Sequence, residues 1–203
     1  MTMATSTGRA NQKQRTRMAI VAAAREAITS GGEVTMPDVA RRALVSEATA
    51  YRYFPDLASL LREALTGVFA SAQAMMAPMA DCEDPVERVG FATRQLLSEV
   101  HAYQGAVRAM IATAITRPPQ AGPRLRPGRR FGLIDEALRP LEGGFAAAHP
   151  ERLAQLKRDL AVVISAETLF TLTDLCALDP AAAIASAVTT ARTLTRAALE
   201  AGT

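Results

Sequence analysis

The side chains with the clearest chemical potential lie between residues 47 and 52. Four of them fall on the outward face of a short predicted helix and are short or polar enough to enter a DNA major groove: Glu47, Ala48, Thr49 and Arg52. Tyr51, on the same helix, can donate its hydroxyl to a phosphate oxygen. These residue types support non-covalent binding through hydrogen bonds and van der Waals contacts, and they do not indicate catalysis.

Two short helices joined by a tight turn must position these side chains. Thr35 is a good N-cap for the first helix, which ends near Ala43. Ser46 caps the second, which must stop near Phe54 because Pro55 disfavours a helical residue before it. Small or apolar residues suited to hold the two helices together are Val39, Ala40, Ala43, Val45, Ala50 and Tyr53. The pattern fits a helix-turn-helix unit.

Residues 34–61 resemble the DNA-binding region of TetR-type (TetR/AcrR) transcriptional regulators. The resemblance is carried by A-x-x-x-x-V-S-x-x-T-x-Y-x-Y-F, which runs from Ala40 to Phe54 and follows a helix that ends in glycines. A length just above 200 residues and a plan of about nine helices are also similar to this family.

The resemblance implies a role for each residue of the motif. Thr35 and Ser46 would approach the DNA backbone, and Tyr51 and Tyr53 would bind phosphate. Glu47 would accept a hydrogen bond from a cytosine amine, while Ala48 or Thr49 would contact a thymine methyl group. The predicted DNA-binding residues are therefore Thr35, Ser46, Glu47, Ala48, Thr49, Tyr51, Arg52 and Tyr53.

Several of these residues also have plainer interpretations. Phe54 is expected in the core, and Tyr53 half in it, whereas the template turns Tyr51 outward. Arg52 fits a phosphate, a guanine or simple solvent exposure equally well. The neighbouring pair at 41–42 fits a solvated helix face better than a base contact.

Two positions depart from the family pattern, and one segment extends it. Leu44 occupies the position of the turn glycine that is usual in the family. Leu57 occupies the position of a lysine that usually binds a DNA phosphate. A non-glycine residue at such a turn, with positive φ, is strained. Family members often place a basic arm before the first helix, here represented by Arg9, Lys13, Arg15 and Arg17.

Hydrophobic periodicity along the rest of the chain predicts an all-α fold. The expected helices are 14–30, 35–43, 46–54, 56–76, 86–100, 107–115, 131–141, 150–177 and 180–200. The expected domains are a disordered basic arm over 1–13, a three-helix DNA-binding domain over 14–55, and a helical effector-binding and dimerisation domain over 56–203. The Pro/Gly/Arg stretch 117–130 fits a mobile loop better than a second nucleic-acid patch.

Composition narrows the class of protein further. Apolar residues make up 49% of the chain and aromatics 4%, with no tryptophan, which favours helices and excludes an all-β fold. Residues 1–62 carry nine basic and five acidic side chains, so a polyanion would bind at the N-terminal end.

The sequence lacks the signals of several other kinds of site. It has no membrane-spanning run, no secretory signal and no paired cysteines, so we expect a cytoplasmic protein with two reduced thiols. His101 and His149 have no metal-ligand partners at helical spacing. No catalytic motif, cofactor motif or metal site is predicted, and the chain is not expected to be an enzyme.

The resemblance also implies a mechanism for the C-terminal part. The helices at 150–177 and 180–200 would pair with their copies in a homodimer that binds a palindromic operator. A small apolar or amphipathic effector bound within residues 65–175 would shift the fourth helix and release the DNA. Candidate effector-binding residues are Met75, Met79, Phe91, His101, Met110, Phe131 and Thr168.

The sequence thus indicates a ligand-responsive transcriptional regulator, most simply a repressor. One alternative is an architectural or non-specific DNA-binding protein without an effector, whose affinity would depend on salt but hardly on sequence. The other is a helical small-molecule carrier or enzyme in which the N-terminal unit is only structural.

Overall fold

The computed structural model describes residues 4–116 and 129–200, which form two compact helical units. The first comprises 4–69 and 103–116, and its helices are α1 (Ala4–Thr29), α2 (Met36–Arg42), α3 (Glu47–Tyr53), α4 (Leu57–Ala64) and α7 (Gln104–Thr116). The second comprises 70–102 and 129–200, and its helices are α5 (Ala72–Met76), α6 (Pro85–Ala102), α8 (Arg129–Ala137), α9 (Gly144–Ala148), α10 (Pro150–Val163), α11 (Ala166–Phe170) and α12 (Pro180–Glu200).

The described residues include no strand, which confirms the all-α fold. None of these helices is long and apolar enough to span a membrane. Most of the segment 117–130, predicted as a loop, lies outside the described residues.

The first unit is built around α1, which packs against α2 and α4, while α4 also packs against α7. Its core consists of aliphatic side chains and one aromatic ring, with Ile20, Val39, Leu60 and Leu61 fully buried and Phe54 nearly so. Gly31, at φ +74°, ends the turn after α1 in a conformation that glycine adopts without strain.

Helix α1 begins well before the position expected from the sequence. Residues 4–13 were predicted to form a disordered arm, but α1 starts at Ala4. The prediction followed the apolar periodicity, and among the side chains that the structure describes the first fully buried one is indeed Ile20. The preceding residues have no proline and are rich in Ala, Gln, Lys and Arg, which lose little conformational entropy in a helix.

The predicted helix over 56–76 is wrong as a continuous element. α4 ends at Ala64, the chain turns through Gly67 at φ +77°, and α5 begins after Ser71, whose side chain accepts a hydrogen bond from the Ala74 amide at 3.1 Å. Apolar residues continue at helical spacing through this turn, since Leu65 is buried there. Periodicity alone therefore did not reveal the break.

Helix α7 approaches the α1–α2 connection of the first unit closely. A methyl group on Gly105 would lie 2.1 Å from the carbonyl oxygen of Gly32, well inside contact distance. Just before α7, the Tyr103 ring meets Phe69 edge to face, with centroids 5.3 Å apart. Glycine at 105 is thus required by the packing of two backbone segments.

In the second unit, α6 packs against α8 and α12. Arg88 on α6 is buried, and its guanidinium donates to four carbonyl oxygens, those of Met79, Cys82, Glu136 and Ala137. The last two belong to the C-terminal end of α8, where carbonyls lack helical partners and the helix dipole favours a cation. Among the described residues, backbone carbonyl groups, and no carboxylate, therefore accept the hydrogen bonds of the buried Arg88 guanidinium.

The predicted helix over 150–177 is divided. α10 ends at Val163, and Ser165 caps α11 by accepting a hydrogen bond from the Thr168 amide at 3.1 Å. A π-helical turn over 171–175 follows, and Ala177 has φ +54°. A serine inside an otherwise helical pattern offers the backbone this alternative hydrogen bond. With α5, α9 and α11, the described residues contain twelve α-helices where about nine were expected.

Candidate nucleic-acid interface

The N-caps of the two short helices form as predicted. The Thr35 hydroxyl oxygen accepts a hydrogen bond from the Asp38 amide at 3.3 Å and starts α2. The Ser46 hydroxyl oxygen accepts one from the Thr49 amide at 3.2 Å and starts α3. These local bonds fix where each helix begins.

The inner side of α3 is held by apolar packing. Ala50 is fully buried, and Phe54, which ends the helix, is 2% exposed. Val39 and Ala40 of α2 are buried in the same core, and Tyr53 packs against it while half-buried. The predicted inner side of α3 is therefore confirmed.

The outer side of α3 presents a continuous polar surface. Four of the predicted contact residues on it are exposed: Glu47, Ala48, Tyr51 and Arg52. Ser46 is exposed at its start, whereas Thr35, Thr49 and Tyr53 are half-buried. The Arg52 guanidinium lies 5.7 Å from the centre of the Tyr53 ring, within the range of a cation–π contact.

The hydroxyl groups at this surface are ordered by their own hydrogen bonds. Thr35 donates to the Asp38 carboxylate at 2.9 Å, and this bond, followed by one from Arg41, lowers the pKa of Asp38 below its usual value. Ser46 donates to the Thr49 hydroxyl oxygen at 2.9 Å. Because Thr49 accepts that bond, its own hydroxyl proton is available for another acceptor.

A family model matches this part of the chain. Residues 20–64 match bacterial regulatory proteins of the tetR family. These residues form a tetR-type helix-turn-helix DNA-binding domain. The match contains α2, α3, α4 and the C-terminal part of α1, residues 20–29. A comparison with curated proteins found no match to the chain. The coarse function is that of a DNA-binding transcriptional regulator, a class of proteins that are generally not enzymes.

Both departures from the tetR pattern have visible structural consequences. Leu44 has φ +55° and is 92% exposed, so it carries backbone strain with almost no burial in return. Leu57 is half-buried and packs against the core of the first unit. Position 57 of this tetR-type domain therefore supplies an apolar contact and no cation.

One residue of the expected basic arm has a different role. Lys13 and Arg15 are exposed on α1, and the side chain of Arg9 lies outside those described. Arg17, however, pairs with Glu63 of α4 through two hydrogen bonds, of which the Nε–Oε1 bond measures 3.0 Å. Its Nη1 also donates to the Tyr53 carbonyl at 3.4 Å. Arg17 thus joins α1 to α3 and α4, a role that no local sequence pattern indicated.

Next to these contacts lies an open groove of about 400 Å³, which we call the α3–α4 groove. Its lining residues are Arg17, Tyr53, Phe54, Pro55, Ser59, Arg62, Glu63 and Thr66. Sequence reasoning identified only Tyr53 among them as a binding residue. The groove adjoins the end of α3 in the tetR-type domain.

The predicted effector-binding residues do not all belong to one unit. Met110 packs against the core of the first unit, whereas the other six lie in the second. Phe131 is 52% exposed, and the rest of that group are half-buried: Met75, Met79, Phe91, His101 and Thr168. The Thr168 hydroxyl donates to the Val162 carbonyl at 2.7 Å. Among the described residues, no group of three His, Cys, Asp or Glu could hold a metal ion.

Proposed function

We propose that this tetR-type regulator is a repressor that binds a palindromic operator as a homodimer and is released by a small apolar or amphipathic effector. The observation that carries the proposal is the outer surface of α3, where Glu47, Ala48, Tyr51 and Arg52 are exposed beside the half-buried Thr49. A surface of this size and polarity fits a major groove.

Base reading follows from the chemistry of that surface. Glu47 is acceptor-only when ionised and pairs with a cytosine amine, while the methyl groups of Ala48 or Thr49 pack on a thymine methyl. Tyr51 and Tyr53 bind phosphate and fix the register of α3 on the duplex.

The dimer would form through α10 and α12, which pack against each other in the second unit. Several apolar residues of this region are buried within the single chain, among them Leu153, Leu156, Leu160, Ile164, Val188 and Ala191. Val163, Ile184 and Leu194 are half-exposed, and Val162 is 71% exposed. Those four are the apolar contacts that we assign to the partner.

The effector would bind the second unit. Half-buried methionines at 75 and 79 support an adaptable apolar site, because the unbranched thioether chain fits ligands of different shape. Release requires that the effector bind the DNA-free state more tightly than the DNA-bound state. We also propose a cytoplasmic location.

The test is selection from a random duplex pool by the purified full-length chain at physiological salt. We expect enrichment of an inverted repeat, and a dimer by light scattering. Thr49→Arg and Tyr51→Ala should each abolish binding to that repeat while circular dichroism and mass in solution stay unchanged. Binding without enrichment would contradict the operator model, and unchanged affinity of both variants would remove α3 from recognition.

A further inference from the structure

We propose that the α3–α4 groove binds a phosphate group, with Arg62 as its cation, and that this phosphate belongs to the backbone of the DNA duplex engaged by α3. The inference rests on the proposed function, because it needs a duplex on α3. It adds a contact that neither the motif nor the family match assigns.

The charge of the groove favours an anion. Two arginines and one glutamate line it, and Arg17 is already paired with Glu63. Arg62 is exposed, and its guanidinium has no hydrogen-bond or ion-pair partner among the described residues. The groove therefore carries one uncompensated positive charge.

The donors in the groove match the geometry of a phosphate. The hydroxyls of Ser59 and Thr66 donate to carbonyls of their own helix, those of Asp56 and Arg62. The Tyr53 hydroxyl has no partner among the described residues, and Tyr53 and Arg62 both line the groove. A planar guanidinium binds two phosphate oxygens at once, and a phenol can donate to a third.

The walls of the groove strengthen this interaction. Phe54 and Pro55 form an apolar side, and the Arg17 guanidinium, 4.4 Å from the Phe54 ring centre, holds that side in place. Charges in a cleft with low-dielectric walls attract an anion more strongly than charges on a flat surface.

The position of the groove indicates the DNA backbone as the source of the phosphate. Tyr53 and Phe54 continue directly from the outer residues Tyr51 and Arg52 of α3, so a duplex on α3 passes its backbone beside the groove. Arg62 is also the only cation of α4, whose first residue is Leu57. It supplies the charge that position 57 does not.

The experiment compares DNA binding by the full-length wild type, Arg62→Ala, Arg62→Lys and the control Arg94→Ala over a series of salt concentrations. Arg94 is exposed on α6 in the second unit and has no partner among the described residues. Because Arg62 is exposed and unpartnered, the variants should fold, which thermal unfolding verifies.

We expect Arg62→Ala to lose about tenfold in affinity, equally for the selected repeat and for random duplex, since phosphate contacts carry no sequence information. The slope of log K against log salt should become shallower by about 0.9 for each copy of the protein bound. Arg62→Lys should keep the slope, and Arg94→Ala should behave as the wild type.

Equal affinity and slope for Arg62→Ala and wild type would overturn the inference, while loss of binding by Thr49→Arg in the same assay would show that the proposed function stands. A wild type that binds no duplex would overturn both. The free-phosphate source is tested by titrating inorganic phosphate against the Tyr53 ring signals in an NMR spectrum. A saturable shift in the wild type that is absent in Arg62→Ala, together with a wild-type DNA affinity and salt slope for Arg62→Ala, assigns the groove to a free phosphorylated ligand and overturns the backbone source.

Discussion

The Arg17 guanidinium lies 4.4 Å from the centre of the Phe54 ring, and this contact joins α1 to the residue that ends α3. The same guanidinium is held by the Glu63 carboxylate and donates to the Tyr53 carbonyl. A second arginine of α1, Arg25, donates to the Ala64 carbonyl at 2.8 Å, at the end of α4. Two arginines on one helix therefore fix the orientation of α4 and of the end of α3.

Replacing Arg17 with alanine should destabilise the first unit by about 1–2 kcal/mol. Both partners of the ion pair with Glu63 are more than a third exposed, so the pair itself adds less than about 1 kcal/mol, and the ring contact and the backbone hydrogen bond supply the rest. Urea unfolding followed by circular dichroism measures the change. Lys13→Ala, at an exposed position of the same helix, is the control and should leave the midpoint unchanged. Equal midpoints for both variants would show that Arg17 belongs only to a DNA-binding arm.

The features that were predicted correctly from the sequence depend on interactions between residues close together in the chain. The starts of α2, α3 and α4 follow from single capping side chains, those of Thr35, Ser46 and Asp56, which act within three residues of themselves. The burial of Val39 and Ala50 follows from helical spacing within one motif. Such features depend on neighbours in the chain, so one sequence is enough to predict them.

Features that depend on distant residues were missed. Arg17 and Glu63 are 46 residues apart in the sequence, so their ion pair could not be predicted from a local pattern. Arg17 was therefore interpreted as a further basic residue of the N-terminal arm. Gly105 has no unusual neighbours in the sequence, and only the approach of the Gly32 carbonyl explains it. The break after α4 was hidden because Leu65 keeps the apolar period while lying in a turn.

Relief of the backbone strain at Leu44 should increase the free energy of unfolding. Leu44→Gly should stabilise the protein by about 0.5–1 kcal/mol, because it relieves a left-handed conformation that costs an L-residue about 1–2 kcal/mol and loses almost no buried surface. Leu44→Ala is the matched control, since alanine keeps the strain and removes the same exposed side chain. Thermal unfolding of the two variants separates relief of strain from loss of the side chain. If the alanine variant gains as much as the glycine variant, backbone strain is not the cause.

Two glycines in helices should respond to alanine in opposite directions. Gly105→Ala should destabilise the first unit by about 2 kcal/mol or more, because its methyl group meets a backbone oxygen that cannot move aside cheaply. Gly132 lies in α8, where a methyl group would make an ordinary contact with the Ala72 side chain at 3.8 Å. Gly132→Ala should therefore stabilise by about 0.5–1 kcal/mol through helix propensity. Both are measured by denaturant unfolding, and a stabilising Gly105→Ala would contradict the close packing of α7.

The Asp38 carboxylate should make stability depend on pH in the acid range. Hydrogen bonds from Thr35 and then Arg41 hold its pKa below the ordinary value of 3.8, so the folded state favours the charged form. Its contribution is complete above the unfolded pKa and is lost as pH falls through the lower folded pKa. Asp38→Asn should thus have a lower Tm than wild type near neutral pH, and the difference should close in strong acid. Asp81→Asn, at an exposed position with no partner among the described residues, should show no such closure.

The hydroxyl of Thr49 should matter more for DNA binding than its methyl group. Ser46 donates to the Thr49 oxygen at 2.9 Å, which leaves the proton of the half-buried Thr49 hydroxyl available for an acceptor on the DNA. Thr49→Val keeps the methyl group and the shape but removes that donor, and it should weaken binding to the selected repeat about five- to tenfold, the worth of one hydrogen bond. Thr49→Ser keeps the donor and should stay within about threefold of the wild type, since a lost methyl contact is worth about 1 kcal/mol or less.

Fluorescence anisotropy on the selected duplex measures both affinities, and the unfolding midpoints of the two variants should match because Ser46 still caps α3 in each variant. The reverse order, with the serine variant weaker than the valine variant, would mean that Thr49 reads a thymine methyl group and that its hydroxyl has no role.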